Sequence, residues 1–532
     1  MKRQIIGGMA LALALASAPL GAKTSAPAVA VEEVSAADLI DQLKAGKVTS
    51  EALVRAYLAR IAAMDRAGPA LHAVIALNPD ALAQARQLDA ERRAGKLRGP
   101  LHGLPVLVKD NIETKDAMPT TAGSLALKDN VTGRDAPVIA RLRAAGAIIL
   151  GKTNLSEWAN IRSQSSMSGW SAVGGLVKNP YALDRSACGS SSGTGAAIAA
   201  SFAAIGIGTE TDGSVVCPSS MNGLAGLKPT IGLVSRTYVV PISHSQDTPG
   251  PIGRSVRDVA LLFAAMIGSD PADPATKGAD AAIRDYAATL SPEALKGIRL
   301  GVLRPDMPAA EAERYEAALA ALKAAGATLV EIKAPKLDGM DEAELDVMKY
   351  ELKADLNAYL AATDPARVKT RTLADVIAFN KADKRELAPF DQGIFEDAEK
   401  LGPLTDPAYA AARAKSLALA KAGLDTMLAA NNVAAIVEPT YGIPWLSDPI
   451  GGDHFTGPSA SELPAIAGYP HLTVPMGLAK GLPVGISFIG KAGADGDLLR
   501  YGYAFEQASR MREPPKYLPT APTGDLLEPV GK

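Results

Sequence analysis

Residues 188–214 read CGSSSGTGAAIAASFAAIGIGTETDGS, a stretch with hardly a bulky side chain. Its middle, Gly195–Ala204, is built almost wholly of small residues, and the spacing predicts a helix there that can pack closely against a sheet. Around that helix stand two serine-bearing segments, Ser190 to Ser192 and Asp212-Gly213-Ser214. The glycines beside them permit a close backbone approach.

Working outward, Leu104–Val108 is a short apolar run introduced by Gly103 and ended by Lys109, Asp110 and Asn111, as a buried strand ends in a polar loop. The pattern predicts a helix over Val138–Ala144 and a strand over Ala147–Leu150. Further on it predicts strands at Ile298–Leu303, Thr328–Ile332 and Ala434–Val437, with a helix over Glu311–Ala325. Leu345, Met348, Leu352, Leu356 and Tyr359 recur at helical spacing, and the segment to about residue 431 reads as mostly helical, able to cover one side of a cleft. Near the start, Ser35-Ala-Ala-Asp38 resembles a capping box, and Leu53, Tyr57, Leu58 and Ile61 share one helical face. The alternation is of α/β type, with no internal repeat and no dividing linker.

The chain has 532 residues, 48% hydrophobic and 21% charged, which is ordinary for a soluble globular protein. Lys and Arg number 55 against 57 Asp and Glu, so no basic excess argues for nucleic acid or for an anionic membrane. Lys2 and Arg3 precede the apolar run Ile5–Ala16, with small-residue cleavage patterns ending at Ala16, Ala18 or Ala22. The expected organisation is a bacterial signal peptide over 1–22, a flexible leader over 23–34, one large folded domain over 35–520 and a C-terminal tail over 521–532. The apolar run is too short for a stable membrane anchor. The mature chain is therefore expected in the periplasm or outside the cell.

Cys188 and Cys217 are too few for a disulfide framework, and whether they pair is left open. Five scattered histidines (His72, His102, His244, His454, His471) have no ligand spacing, so no metal site is expected.

Neither glycine-rich block matches G-x-x-x-x-G-K-[ST] or G-x-G-x-x-G, so a nucleotide loop is weakly supported. A serine beside Asp212-Gly213 fits a hydrolase better, because a tight turn there aims backbone N–H groups at a developing oxyanion. Serine needs a base. No histidine lies in either block and the G-x-S-x-G elbow is missing, so a Ser–Lys arrangement is the natural alternative. Such a lysine must be neutral, which burial favours. Lys109 at the end of an apolar strand suits this, and on spacing alone Lys152 and Lys228 meet the same description.

Taken together, Gly103-Leu-Pro-Val-Leu-Val-Lys109, Gly151-Lys-Thr-Asn154, the block around Ser190, Gly208-Thr-Glu-Thr-Asp-Gly-Ser214 and Gly226-Leu-Lys-Pro-Thr230 resemble the amidase signature family. Similarity continues through Ala467-Gly-Tyr-Pro-His-Leu-Thr-Val-Pro475 and Gly481-Leu-Pro-Val-Gly-Ile486. Within the family, Leu155-Ser-Glu-Trp-Ala159, Ser168-Gly-Trp-Ser171 and Ile242-Ser-His-Ser-Gln-Asp-Thr-Pro-Gly-Pro251 resemble the bacterial peptide amidases. One departure is that Cys188 and Ser192 stand where many members carry glycine.

The resemblance implies one large α/β domain with a mixed central β-sheet surrounded by helices. It implies hydrolysis of carboxylic amides, C-terminal peptide amides in the first place, through Ser214 as nucleophile, Ser190 as bridging proton carrier after a cis Gly189–Ser190 bond, and Lys109 as base. The oxyanion hole would be the backbone N–H groups of Thr211, Asp212, Gly213 and Ser214, and Ser165, Ser168 and Trp170 fall in the stretch that resembles the leaving-group wall. No cofactor is required. The partner is a small-molecule or peptide amide substrate, with no nucleic acid. Rival readings are an amidase for small aliphatic or aryl amides, the glutaminase component of a tRNA-dependent amidotransferase and a non-catalytic binding protein.

Overall fold

The run Pro-Val-Leu-Val-Lys109 has no polar atom to offer solvent until its last residue, and it forms the fully buried strand β2 (Pro105–Lys109). It lies between β3 (Ile148–Thr153) and β6 (Ile205–Glu210), parallel to both. A strand hydrogen-bonded on both sides and covered on both faces reads as an unbroken apolar run, which is what Val106, Leu107 and Val108 supply.

The structure, a computed structural model, describes Met1 and residues 29–522. The expected signal peptide after Met1, the first part of the leader and the tail beyond 522 lie outside the described residues. Around β2 the sheet is completed by β1 (Val74–Leu77), β7 (Ala225–Lys228), β8 (Thr248–Gly253), β9 (Arg299–Val302), β10 (Thr328–Glu331), β11 (Ala435–Pro439), β12 (His471–Ala479) and β13 (Leu482–Ile489), while β4 (Trp170–Ser171) and β5 (Gly175–Leu176) form a separate ribbon. The order of the 11 strands is β1-β3-β2-β6-β8-β7-β12-β13-β11-β9-β10. Pairing is antiparallel through the middle, from β6 to β11, and parallel at β3-β2-β6 and β11-β9-β10, so the sheet is mixed.

Helices cover both faces. Along β12, Leu472 meets Gly502 of the helix Asp495–Ser509, whereas the next residue, Thr473, lies on the side of Ser220 in the helix Val216–Met221, as the two-residue period of a strand requires. The chain is thus a single large α/β domain with a mixed central sheet flanked by helices. Among the described residues, no helix is long and apolar enough to cross a membrane.

Most expected elements are present: helices at Pro137–Ala144, Ala309–Ala324 and Met340–Ala361, and strands β2, β3, β9, β10 and β11. One expectation is corrected. The small-residue helix runs over Ser192–Ala199, not 195–204. It begins earlier because the serines themselves enter it. It ends because Ser201 takes a positive φ of 58° and Arg254 caps the end, donating to Ile198 O at 3.0 Å and Ala203 O at 2.9 Å. Gly193 in its first turn is indispensable, since a Cβ there would lie 2.4 Å from Ala73 O and Asn154 O.

Candidate active site

Because β2 and β6 are parallel neighbours, their carboxyl ends lie on one edge of the sheet, with Lys109 ending one strand and Thr209-Glu210 the other. Loops leaving that edge bring in the rest of the site, the usual place for chemistry in α/β sheets.

Lys109 is fully buried, and its Nζ makes three contacts: Ser190 Oγ at 2.7 Å, Thr209 Oγ1 at 2.9 Å and Thr209 O at 3.1 Å. A neutral amine has two N–H donors and one lone pair. The two Thr209 oxygens can only use the donors fully if the lone pair faces Ser190, where it can accept the hydroxyl proton. Burial pulls the Lys109 ammonium down from the ordinary lysine value to about 7, against the opposing fields of Asp247 and Glu210. Asn111 Nδ2 also donates to Thr209 Oγ1, at 2.9 Å, which fixes that hydroxyl.

The other two buried lysines are spent elsewhere. Lys152 Nζ donates to Ile112 O at 2.5 Å and Thr120 Oγ1 at 2.8 Å and faces Asp110 at 3.9 Å. Lys228 Nζ donates to Pro229 O at 3.1 Å. Of the three lysines left open by spacing, Lys109 alone touches a serine of the cavity.

The Gly189–Ser190 peptide bond is cis, as the resemblance implies. Ser190 and Ser214 both line a cavity of roughly 270 Å³, together with Thr211, Asp212 and Cys188. Ser191 N donates to Ser214 O at 3.2 Å, tying the two serine segments together. Among the described residues, Ser190 Oγ bonds only to Lys109, and the Ser190–Ser214 hydrogen bond is not made in this resting geometry.

The turn that carries Ser214 is held from below by Glu210, whose Oε2 accepts from Val215 N at 2.7 Å and Val216 N at 3.0 Å. Gly213 has a φ of 77°, and a Cβ there would sit 2.1 Å from the Tyr441 hydroxyl oxygen, so only glycine fits. Among the described residues the N–H groups of Thr211, Asp212, Gly213 and Ser214 donate to no protein oxygen outside the sheet ladder. Adjacent N–H groups left without a protein acceptor are able to bind an oxyanion.

Of the three expected substrate contacts, Ser168 lines the cavity, and its N–H donates to Asp453 at 3.0 Å. Ser165 and Trp170 are not in the lining. Ser165 is exposed, and Trp170 packs edge-on against Phe390 at 5.5 Å. Met348, from the helix Met340–Ala361, does reach the cavity, so the helical segment covers one side of it.

Sequence reasoning missed the disulfide and the distant lining. Cys188 and Cys217 are bonded, which fastens the segment before Ser190 to the helix after Ser214. Thr209 was visible inside a motif but carried no signal of its contact with Lys109, and Tyr441, Trp445, Asp453 and Phe455 come from loops far along the chain. The histidines are engaged structurally: His102 with Leu88 O, His471 with Ser487 Oγ, His72 with Leu176 O, His244 with Asp355 and His454 with Asp448.

Comparison with known proteins agrees with this geometry. The family description "Amidase" matches residues 52–499. A probable amidase of Arabidopsis thaliana is 39% identical over 92% of this chain and 92% of its own length. The crystal structure of a native peptide amidase from Stenotrophomonas maltophilia superposes with a TM-score of 0.87 at 49% identity, covering 91% of this chain and 99% of that one. One component of the glutamyl-tRNA(Gln) amidotransferase of Symbiobacterium thermophilum is 35% identical, over 90% of this chain and 98% of its own length.

Proposed function

Since the chain belongs to the amidase signature family and is a serine amide hydrolase by that membership, we propose that it hydrolyses C-terminal peptide amides, releasing ammonia. Neutral Lys109 takes the Ser190 proton while Ser190 takes that of Ser214. Ser214 Oγ then attacks the amide carbonyl carbon, and the N–H groups of Thr211 to Ser214 bind the oxyanion. The relay returns a proton to the leaving nitrogen, ammonia departs, and water hydrolyses the acyl-enzyme along the same path.

The observation that carries this reading is the hydrogen bond from buried Lys109 to Ser190, a serine that lines the same cavity as Ser214. Specificity for an amide over a free C-terminal acid is supported by charge. The cavity lining contains two carboxyl groups, Asp212 and Asp453, and no Lys, Arg or His. A free carboxylate would find no counter-charge there. The closer likeness to a peptide amidase (49% identity) than to the amidotransferase component (35%) favours the same reading. Export is supported by the leader pattern of Lys2, Arg3 and Ile5–Ala16 and by the Cys188–Cys217 disulfide, which suits an oxidising compartment.

The test is ammonia release from amidated peptides, the same peptides as free acids, and small carboxamides. Turnover of the amidated peptides alone supports the reading. Turnover of small amides alone replaces the substrate class and leaves the chemistry.

A further inference from the structure

A primary amide has nothing on its leaving side but nitrogen, so whatever fills the cavity beyond Ser214 belongs to the acyl part of the substrate. The cavity lining includes Asp453, with Tyr441, Trp445 and Phe455. The three rings form a cluster: Phe455 meets Tyr441 at 5.7 Å and Trp445 at 5.8 Å between centroids, both edge-on.

The Asp453 carboxyl is held at both oxygens. Oδ1 accepts from Trp445 Nε1 at 2.9 Å and Oδ2 accepts from Ser168 N at 3.0 Å. Burial raises the Asp453 carboxyl above its ordinary value, and the Ser168 and Trp445 N–H groups, which can only donate, work against that rise by favouring the ionised form; each oxygen keeps acceptor capacity for a further donor. Its neighbour His454 is exposed and turned to Asp448 at 3.1 Å. No cationic side chain lines the cavity to neutralise Asp453. Asp212, the other lining carboxyl, sits in the turn that carries Ser214, and burial raises it as well.

We infer that Asp453, framed by Tyr441, Trp445 and Phe455, is a specificity-determining subsite for a cationic nitrogen on the acyl part of the amide substrate. The carboxylate supplies a charge-assisted acceptor and the ring faces supply cation–π attraction. The nitrogen is either the free α-ammonium of a short substrate or a basic side chain. This inference rests on the amide-hydrolase reading of the site.

The test compares kcat/KM of the wild type and Asp453→Asn on leucinamide, N-acetylleucinamide and N-acetylargininamide. The assay runs at about pH 6.5, below the ordinary α-amino value of about 7.7–8.0. Wild type should prefer one of the cationic amides to the neutral N-acetylleucinamide. In Asp453→Asn that preference should fall at least about tenfold, the scale of one lost charge-assisted contact. A fall confined to leucinamide identifies the α-ammonium, and one confined to N-acetylargininamide the side chain. A cationic-to-neutral ratio that stays within about twofold of wild type overturns the subsite, because a merely structural role lowers all three substrates together. Failure of wild type on all three while an amidated peptide is turned over also overturns the subsite, whereas failure on the amidated peptide as well sinks the amide reading itself.

Discussion

Lys109 Nζ stands 2.7 Å from Ser190 Oγ, and among the described residues it forms no salt bridge, unlike Lys152, which faces Asp110 at 3.9 Å. The difference decides what each amine can do. Burial lowers Lys152 too, but there the facing Asp110 carboxylate opposes the fall. Lys109 is buried with neutral oxygens as its direct partners, and it is poised to give its proton up near neutrality.

A pH dependence follows. In the proposed relay the reactive form of Lys109 is the neutral amine, and burial lowers its value to about 7, so kcat/KM should rise with pH through about 7 and then level off. The same depression means that the unfolded chain binds more protons than the folded one between about 7 and the ordinary lysine value of about 10.4. This group alone therefore makes stability increase with pH across that window. A pH–rate profile on one amidated peptide checks the first statement; a profile flat from about pH 5 to 9 would contradict it.

In the proposed relay Thr209 positions Lys109. Thr209→Val keeps the shape but removes the hydroxyl that Lys109 and Asn111 share. We expect kcat to fall about 10- to 100-fold, in the range of one or two misplaced hydrogen bonds, with KM little changed. Losing an acceptor disfavours the ammonium, so the acid limb of the pH profile should also move to lower pH. Steady-state kinetics across pH reads both effects.

The Cys188–Cys217 bond closes a loop of sequence separation 29 that contains both serines. Chain-entropy arguments give such a cross-link ~3–4 kcal/mol. The double variant Cys188→Ser/Cys217→Ser, and wild type under reductant, should unfold at a lower temperature in calorimetry. Equal midpoints with and without reductant would show that the bond adds no stability.

Much of the framework was legible because local chemistry determined it. The run ending at Lys109 is apolar up to its polar end, and burial did the rest. The small-residue helix was misread at both ends, because its limits depend on Arg254 and on a left-handed Ser201, and neither leaves a periodic trace. Ser168 reaches the cavity while Ser165 and Trp170 do not, a matter of loop path that spacing does not encode. The same holds for the Cys188–Cys217 pairing and for Asp453, which enter the site through long-range packing.

The central claim is that Ser214 is the nucleophile of this amide hydrolase, and ammonia release by Ser214→Ala beside the wild type on one amidated peptide tests it most directly. The account predicts a loss on the order of 10⁴- to 10⁶-fold with the thermal midpoint essentially retained. Turnover surviving near the wild-type rate in Ser214→Ala would contradict it.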